Sequence, residues 1–325
     1  MLRRVFLAGA GALGCAVLET GPARSEDYPS RPVRIIVPFE VGAPDTIARL
    51  VAQQLGAQLG KPFVVENRPG ANGTIGANLV AKSPPDGYTL LVTSSSFAVN
   101  PSMYRNLPFD TLGDFAPVSM ICSTEALIIG VNPALPVHSL ADLVRYGRQH
   151  GSELMYASPG VGNGLHLAAE MINFRTGLRM VHVPYKGAGP AITALLAGEV
   201  QVMCLTPPLS LPHIRAGKIR ALAYTGRRRA AFLPELPTVV EEGMPELQMD
   251  GGWYGMLAPA GTPAPILDRL QAEVAAAVAL PAMRERLDAL GLQPGGSTAA
   301  EYRSVLVDQV RSYAELVRAA GIQPE

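Results

Sequence analysis

Apolar positions in this chain fall into short unbroken runs, and between the runs they recur every three or four residues. Residues 33–39 (VRIIVPF) are apolar at every position except Arg34, which predicts a buried strand. The loop Glu40-Val41-Gly42-Ala43-Pro44-Asp45 follows. Ile47, Leu50, Val51, Leu55 and Leu59 then share one face of a helix that Asp45 or Thr46 can cap and Gly60 stops. Residues 62–66 predict a second strand, 67–73 (NRPGANG) a glycine loop, and Ile75, Leu79 and Val80 a second helix. Beyond the turn Pro84-Pro85-Asp86-Gly87, residues 89–93 predict a third strand running into Ser94-Ser95-Ser96. Strands alternating with helices imply an α/β fold with a mostly parallel sheet.

Two apolar runs, 115–121 and 126–131, have no helix between them and read as the passage out of a first lobe. A second alternating series follows. Ser139-x-x-Asp142 can open a helix through Leu140, Leu143 and Val144. Residues 153–189 read strand, glycine loop, helix, strand, glycine loop, and the chain is organised around them. Further helices are expected at 190–197 and 209–216, and strands at 200–205 and 219–224. Residues 227–252 are the turn-rich return path. A strand at 253–258, a helix started by Thr262-Pro263 and a terminal helix opened by Thr298-x-x-Glu301 complete the chain.

The pattern gives two βαβ series around a cleft. The lobes are expected to be 26–122 with 226–325 and 123–225, hinged on crossing strands near Cys122 and Tyr224. In Ser158-Pro159-Gly160-Val161-Gly162-Asn163-Gly164, alternate glycines favour positive φ and close backbone approach. A helix starting at Leu165 would aim unpaired N–H groups and a positive dipole end at whatever sits there. The expected ligand is a small carboxylate.

Composition narrows the destination. The 325 residues carry 27 basic and 27 acidic side chains; a leader through Ser25 removes Arg3, Arg4, Arg24 and Glu19, leaving 24 and 26. No nucleic-acid groove or anionic membrane surface is implied. Residues 1–25 read as a signal peptide: Arg3-Arg4, an apolar run over 5–18, and Ala23-Arg24-Ser25 at the cleavage site, with the twin-arginine form open beside the ordinary one. The mature protein is thus expected to be soluble and exported. Cys122 and Cys204 are left, either paired or buried as small hydrophobes.

Segments in one order across the mature chain carry a resemblance: YPSRPVRIIVPF, ENRPGANGTIGANLVAKSPPDGYTLL, YASPGVGNGLHLAAE, VPYKGAGPAITALLAGEV, LPHIRAGKIRALA, LPTVVEEG and APAGTPAPILDRL. The chain resembles the periplasmic solute receptors of tripartite tricarboxylate transporters, the Bug family. The resemblance implies a two-lobed type II periplasmic binding protein that captures a mono- or dicarboxylate and delivers it to membrane transporter subunits. It implies ligand contacts from Phe39, Gly42, Ala43 and Asp45, from Ala71 and Asn72, from Ser94 and Ser95, and in the second lobe from Ser158, Gly160, Gly162, His166, Tyr185 and Lys186. Two departures stand out. Glu40-Val41 replaces a small, glycine-rich pattern, adding bulk and an acid, and Cys204-Leu205-Thr206 stands where relatives often have Phe-Asp-Asn.

Other chemistry is weakly supported. The serines lack a nucleophile elbow, the glycine loop lacks dinucleotide spacing, and the five histidines lack metal-ligand spacing. No catalytic residue, metal, cofactor or nucleic-acid partner is expected, and the protein is expected to be a monomer. The alternatives are a receptor presenting its ligand to a membrane sensor, and an exported hydrolase or lyase using His166 and a serine.

Overall fold

Strand β1 (Val33–Val37) sets the plan of the first half of the molecule. Its side chains alternate between faces, so Val33, Ile35 and Val37 enter one core while Ile36 enters another behind the sheet. The computed structural model describes residues 28–150, 153–319 and 322–324, and the leader read over residues 1–25 lies outside them. Helix α1 (Ala43–Leu59) buries Ile47, Val51 and Leu55 and ends at left-handed Gly60, whose N–H donates to the Gly56 carbonyl. Each fully buried aliphatic side chain of this kind is worth roughly 1.5–3 kcal/mol. Next come β2 (Phe63–Asn67), α2 (Thr74–Ala81), β3 (Thr89–Ser94), α3 (Ser96–Met103) and β4 (Phe115–Ala126).

The chain then enters a second sheet through β5 (Ile128–Val131), α4 (Leu140–His150), β6 (Met155–Ser158), α5 (Gly164–Thr176), β7 (Val181–Pro184), α6 (Ala188–Ala197), β8 (Val202–Leu205), α7 (Pro207–Arg215) and β9 (Arg220–Tyr224). It returns with β10 (Asp250–Pro259), α8 (Ala264–Ala279), α9 (Pro281–Ala289), β11 (Gln293–Pro294) and α10 (Ala299–Ala319). Among the described residues no helix is long and apolar enough to cross a membrane.

The first sheet has the order β11-β4-β10-β3-β1-β2 and the second β7-β6-β8-β5-β9. Both are mixed, which corrects the expectation of mostly parallel sheets. The βαβ units β1–β2, β1–β3, β6–β7 and β6–β8 pair parallel. The strands that enter from the other half, β10 in the first sheet and β5 in the second, pair antiparallel with both neighbours.

Strand β4 stays in the first sheet to Ala126, so the passage between sheets is at Leu127, past the boundary expected after Cys122. The return segment also differs from expectation. Leu233, Leu236, Val239 and Leu247, assigned by sequence to the first lobe, sit in the core of the second sheet. Thr225 ties the crossings together. Its hydroxyl accepts from the Leu127 N–H at 2.8 Å and donates to the Met249 carbonyl at 2.8 Å. Its backbone bonds both residues as well. Cys122 lies in the first sheet and Cys204 in the second; both are buried free thiols, and burial pushes Cys204 up to about 12.

Candidate functional site

Strand ends on the facing edges of the two sheets hand the chain to helices that all begin at one gap. The starts of α1 (Gly42, Ala43, Pro44), α3 (Ser95, Ser96), α5 (Asn163, Gly164, Leu165), α6 (Ala188) and α7 (Thr206) line a single cavity of about 690 Å3, counted to its open mouth. Each helix turns its positive end toward that space, although only some of them leave first-turn N–H groups open there. Phe39, Trp253, Tyr254 and Tyr313 form its aromatic wall. Glu40 and Asp250 are the charged residues on the lining, and no basic side chain joins them. An anion held here would be held by backbone dipoles, with a low-polarity wall to strengthen them.

The helix starts are unequal as donors. In α1 the first intrahelical bond is from the Thr46 N–H to the Gly42 carbonyl, and Pro44 has no N–H, so Ala43 and Asp45 supply the open donors. In α6 the Ala191 N–H bonds the Gly187 carbonyl, and with Pro190 lacking a donor, Ala188 and Gly189 supply them. Helix α7 opens with Pro207-Pro208 and offers neither position. Across the gap α1 and α6 nearly touch: a Cβ on Gly42 would lie 3.9 Å from the Ala188 Cβ, and one on Gly189 would lie 2.9 Å from the Val41 carbonyl oxygen. Glycine at 189 is therefore a requirement of close approach.

The loop 158–164 corrects the central expectation that its N–H groups cradle the anion, because most are already satisfied. The Gly160 N–H donates to Ser158 Oγ (3.2 Å), Gly162 N–H to His166 Nδ1 (3.2 Å), Asn163 N–H to the Gly160 carbonyl (3.2 Å) and Leu165 N–H to Asn163 Oδ1 (3.0 Å). The Gly164 N–H crosses to Ser96 Oγ at 3.2 Å. Gly162 keeps positive φ (73°), as its sequence context implied, and a Cβ there would lie 2.8 Å from the Met103 Cγ.

Of the residues expected at the site, Phe39, Gly42, Ala43, Ser94 and Ser95 line the main cavity. Ala71, Asn72, Gly160, Tyr185 and Lys186 line a second, outer chamber of about 1010 Å3 that shares Phe39, Glu40 and Pro159 with the first. Asp45, Ser158, Gly162 and His166 line neither. Asp45 is buried in the first turn of α1 and paired with Arg49 at 2.9 Å. His166 is buried, its ring stacked 4.1 Å from that of His182, and burial lowers its pKa despite the opposing charge of Glu170. His182 in turn lies 2.6 Å, Nε2 to Oγ, from Ser158 and is lowered to about 4, first by burial and then by His166. The Ser158 hydroxyl thus has a histidine neighbour but is sealed from both chambers.

Sequence reasoning missed Asn163, Ala188, Thr206, Asp250, Trp253 and Tyr313. Asn163 could have been found, since an Asn before a helical run is an N-cap signal and here it caps α5. Tyr313 comes from the last helix, whose apolar stripe gave no sign that a ring packed on the core also reaches the cavity.

Residues 47–322 match the family described as Tripartite tricarboxylate transporter family receptor. The chain belongs to this receptor family. It is 37% identical over 320 residues to Protein BugT of Bordetella pertussis, covering 98% of this chain and 95% of that one. An R. palustris protein solved with adipate superposes with a TM-score of 0.89 at 35% identity, covering 92% of this chain and all of the other. MatC from Rhodopseudomonas palustris, solved with bound malate, gives 0.85 at 30%, covering 89% of this chain and all of MatC. The protein is a solute-binding receptor with the periplasmic binding protein fold.

Proposed function

We propose that this receptor works in the periplasm, captures a small mono- or dicarboxylate in the interlobe cleft and hands it to membrane transporter subunits. The observation that carries the reading is the convergence of five helix N-termini on one cavity that has no basic side chain on its lining. In this reading one carboxylate meets the open N–H groups of Ala43 and Ala188, with Ser94, Ser95 and Thr206 as hydroxyl partners. The aromatic wall takes the carbon chain. The outer chamber, with Tyr185 and the exposed Lys186, draws anions toward the mouth. Relatives solved with adipate and malate support the ligand class, and the family supports the transport partner.

Thermal-shift screening of the mature protein against mono-, di- and tricarboxylates, malate and adipate among them, tests the reading. A ligand at one hundred times its Kd adds about 2.7 kcal/mol of stability. The expected result is a shift for a small set of these acids and mass-spectrometric recovery of the ligand unchanged. Absence of any shift across the panel, or steady turnover of a bound acid, would overturn it.

A further inference from the structure

Asn72 was expected among the ligand contacts, yet its side-chain amide is already spent. Its Nδ2 donates to Asn100 Oδ1 at 2.8 Å and to the Gly162 carbonyl at 3.1 Å, which uses both hydrogens of that nitrogen. Its Oδ1 accepts from Asn163 Nδ2 at 3.4 Å. A carboxylate needs donors, and the Asn72 side chain has none left. Asn100 sits in α3, beside the first sheet, and is buried; Gly162 and Asn163 belong to the loop after β6 in the second. The amide therefore joins the two halves.

Two further observations single out this position. Ala71 and Asn72 adopt φ of 45° and 47°, the positive-φ non-glycine residues among those described. Left-handed backbone is uncommon for alanine and is retained where the surroundings demand it. The seam is also shielded: Val99 and Met103 of α3, Leu167 of α5 and Val317 of α10 form a small apolar cluster across the same boundary, and Met103 lies against Gly162.

We propose that Asn72 is a positioning residue that latches the closed cleft across the seam between α3 and α5, and that it acts on ligand through closure without touching it. A latch that holds part of the unliganded population closed lowers the cost of closing on ligand, and ligand adds to the same closed state.

The test uses the unliganded protein, so it stands or falls apart from the carboxylate reading. Asn72→Gly removes the amide while accepting left-handed backbone without strain. Asn72→Asp keeps the shape but lacks both N–H donors. In both variants amide exchange at Gly164, whose N–H crosses the seam to Ser96, should quicken about tenfold, the equivalent of 1.4 kcal/mol. Amides of β1 and β8 should keep their rates, and the radius of gyration by small-angle scattering should rise. Unchanged Gly164 exchange or an unchanged radius in either variant overturns the proposal. So does equal acceleration at β1 and β8, which would mark general destabilisation.

Discussion

Glu40 stands at a position where the chain departs from the resemblance that otherwise runs through it, and its carbons pack against the far side of the cleft. A Cβ on Gly187 would lie 3.0 Å from the Glu40 Cβ, so the acid spans the mouth next to the start of α6. It makes no ion pair among the described residues and lines both chambers. An acid there repels a bound dianion by about 0.5–1 kcal/mol at short range in a largely aqueous mouth. Glu40→Gln should therefore tighten malate binding about two- to fivefold by calorimetry at low ionic strength, with the gain fading in salt. A weaker malate complex in Glu40→Gln would mean that the Glu40 carboxylate accepts a hydrogen bond from the malate hydroxyl and that this outweighs charge repulsion. The acid and the small strand-end residues were readable from sequence because each lies in a loop between two periodic segments. Thr206, Trp253 and Tyr313 were not, since they reach the cavity from three distant parts of the chain and only the fold brings them together.

At the scale of elements, legibility followed periodicity. Amphipathic α1 and α10 were clear in sequence, and the Thr298–Glu301 box at the start of α10 forms in both directions, with Glu301 N–H donating to Thr298 Oγ1 and Thr298 N–H to Glu301 Oε2. Helix α3 was missed because Phe97, Ala98, Val99, Asn100 and Met103 are buried all round it, so no polar face exists to reveal a period. The sequence pattern ends strand β4 early because Ser123, Thr124 and Glu125 interrupt its apolar run, although Ser123 and Thr124 pair with β10, Ser123 also with β11, and pairing resumes at Ala126. The unit β6–α5–β7 holds a prediction of its own. His182 and His166 are stacked and neutral, with Tyr156 on Glu170 and Ser158 on His182 as their polar neighbours. Both folded pKa values lie below the unfolded value of about 6.5, so the neutral pair contributes full stability above that pH. Stability falls as pH drops from there through the folded value of about 4 at His182. His182 is half-buried, and after screening by solvent the loss between pH 6.5 and 4.5 should be about 1–2 kcal/mol. Urea midpoints across that range should show the decline, and His182→Gln, which cannot titrate, should flatten it. An equally steep decline in the variant would place the pH dependence elsewhere.

Two lobes and a cleft follow from sequence because two βαβ series cannot share one core, but where the lobes join depends on hydrogen bonds that no periodicity encodes. The chain passes from the first sheet to the second at Leu127 and comes back at Met249, and Thr225 lies between them with its hydroxyl in one bond to each. The flanking strands are well paired within their own sheets, so bending is expected to concentrate at these three residues, in the manner of short hinge segments that absorb domain closure. Thr225 is almost fully buried. Thr225→Val keeps its shape and removes the hydroxyl, leaving the buried Leu127 N–H without its partner at a cost of about 1–3 kcal/mol. The backbone bonds between Thr225 and both neighbours survive the change, so the sheets should still form. The expected outcome is a lower urea midpoint together with a wider spread of interlobe distances in the unliganded protein, measured by electron-spin distance distributions between labels placed on α4 and α8. Saturation with a bound dicarboxylate should narrow that spread to the wild-type width, because ligand contacts on both faces set the closed geometry whatever the hinge. A variant that loses stability while keeping the wild-type distance distribution would show that Thr225 only packs the crossing and that the freedom to open lies outside these three residues.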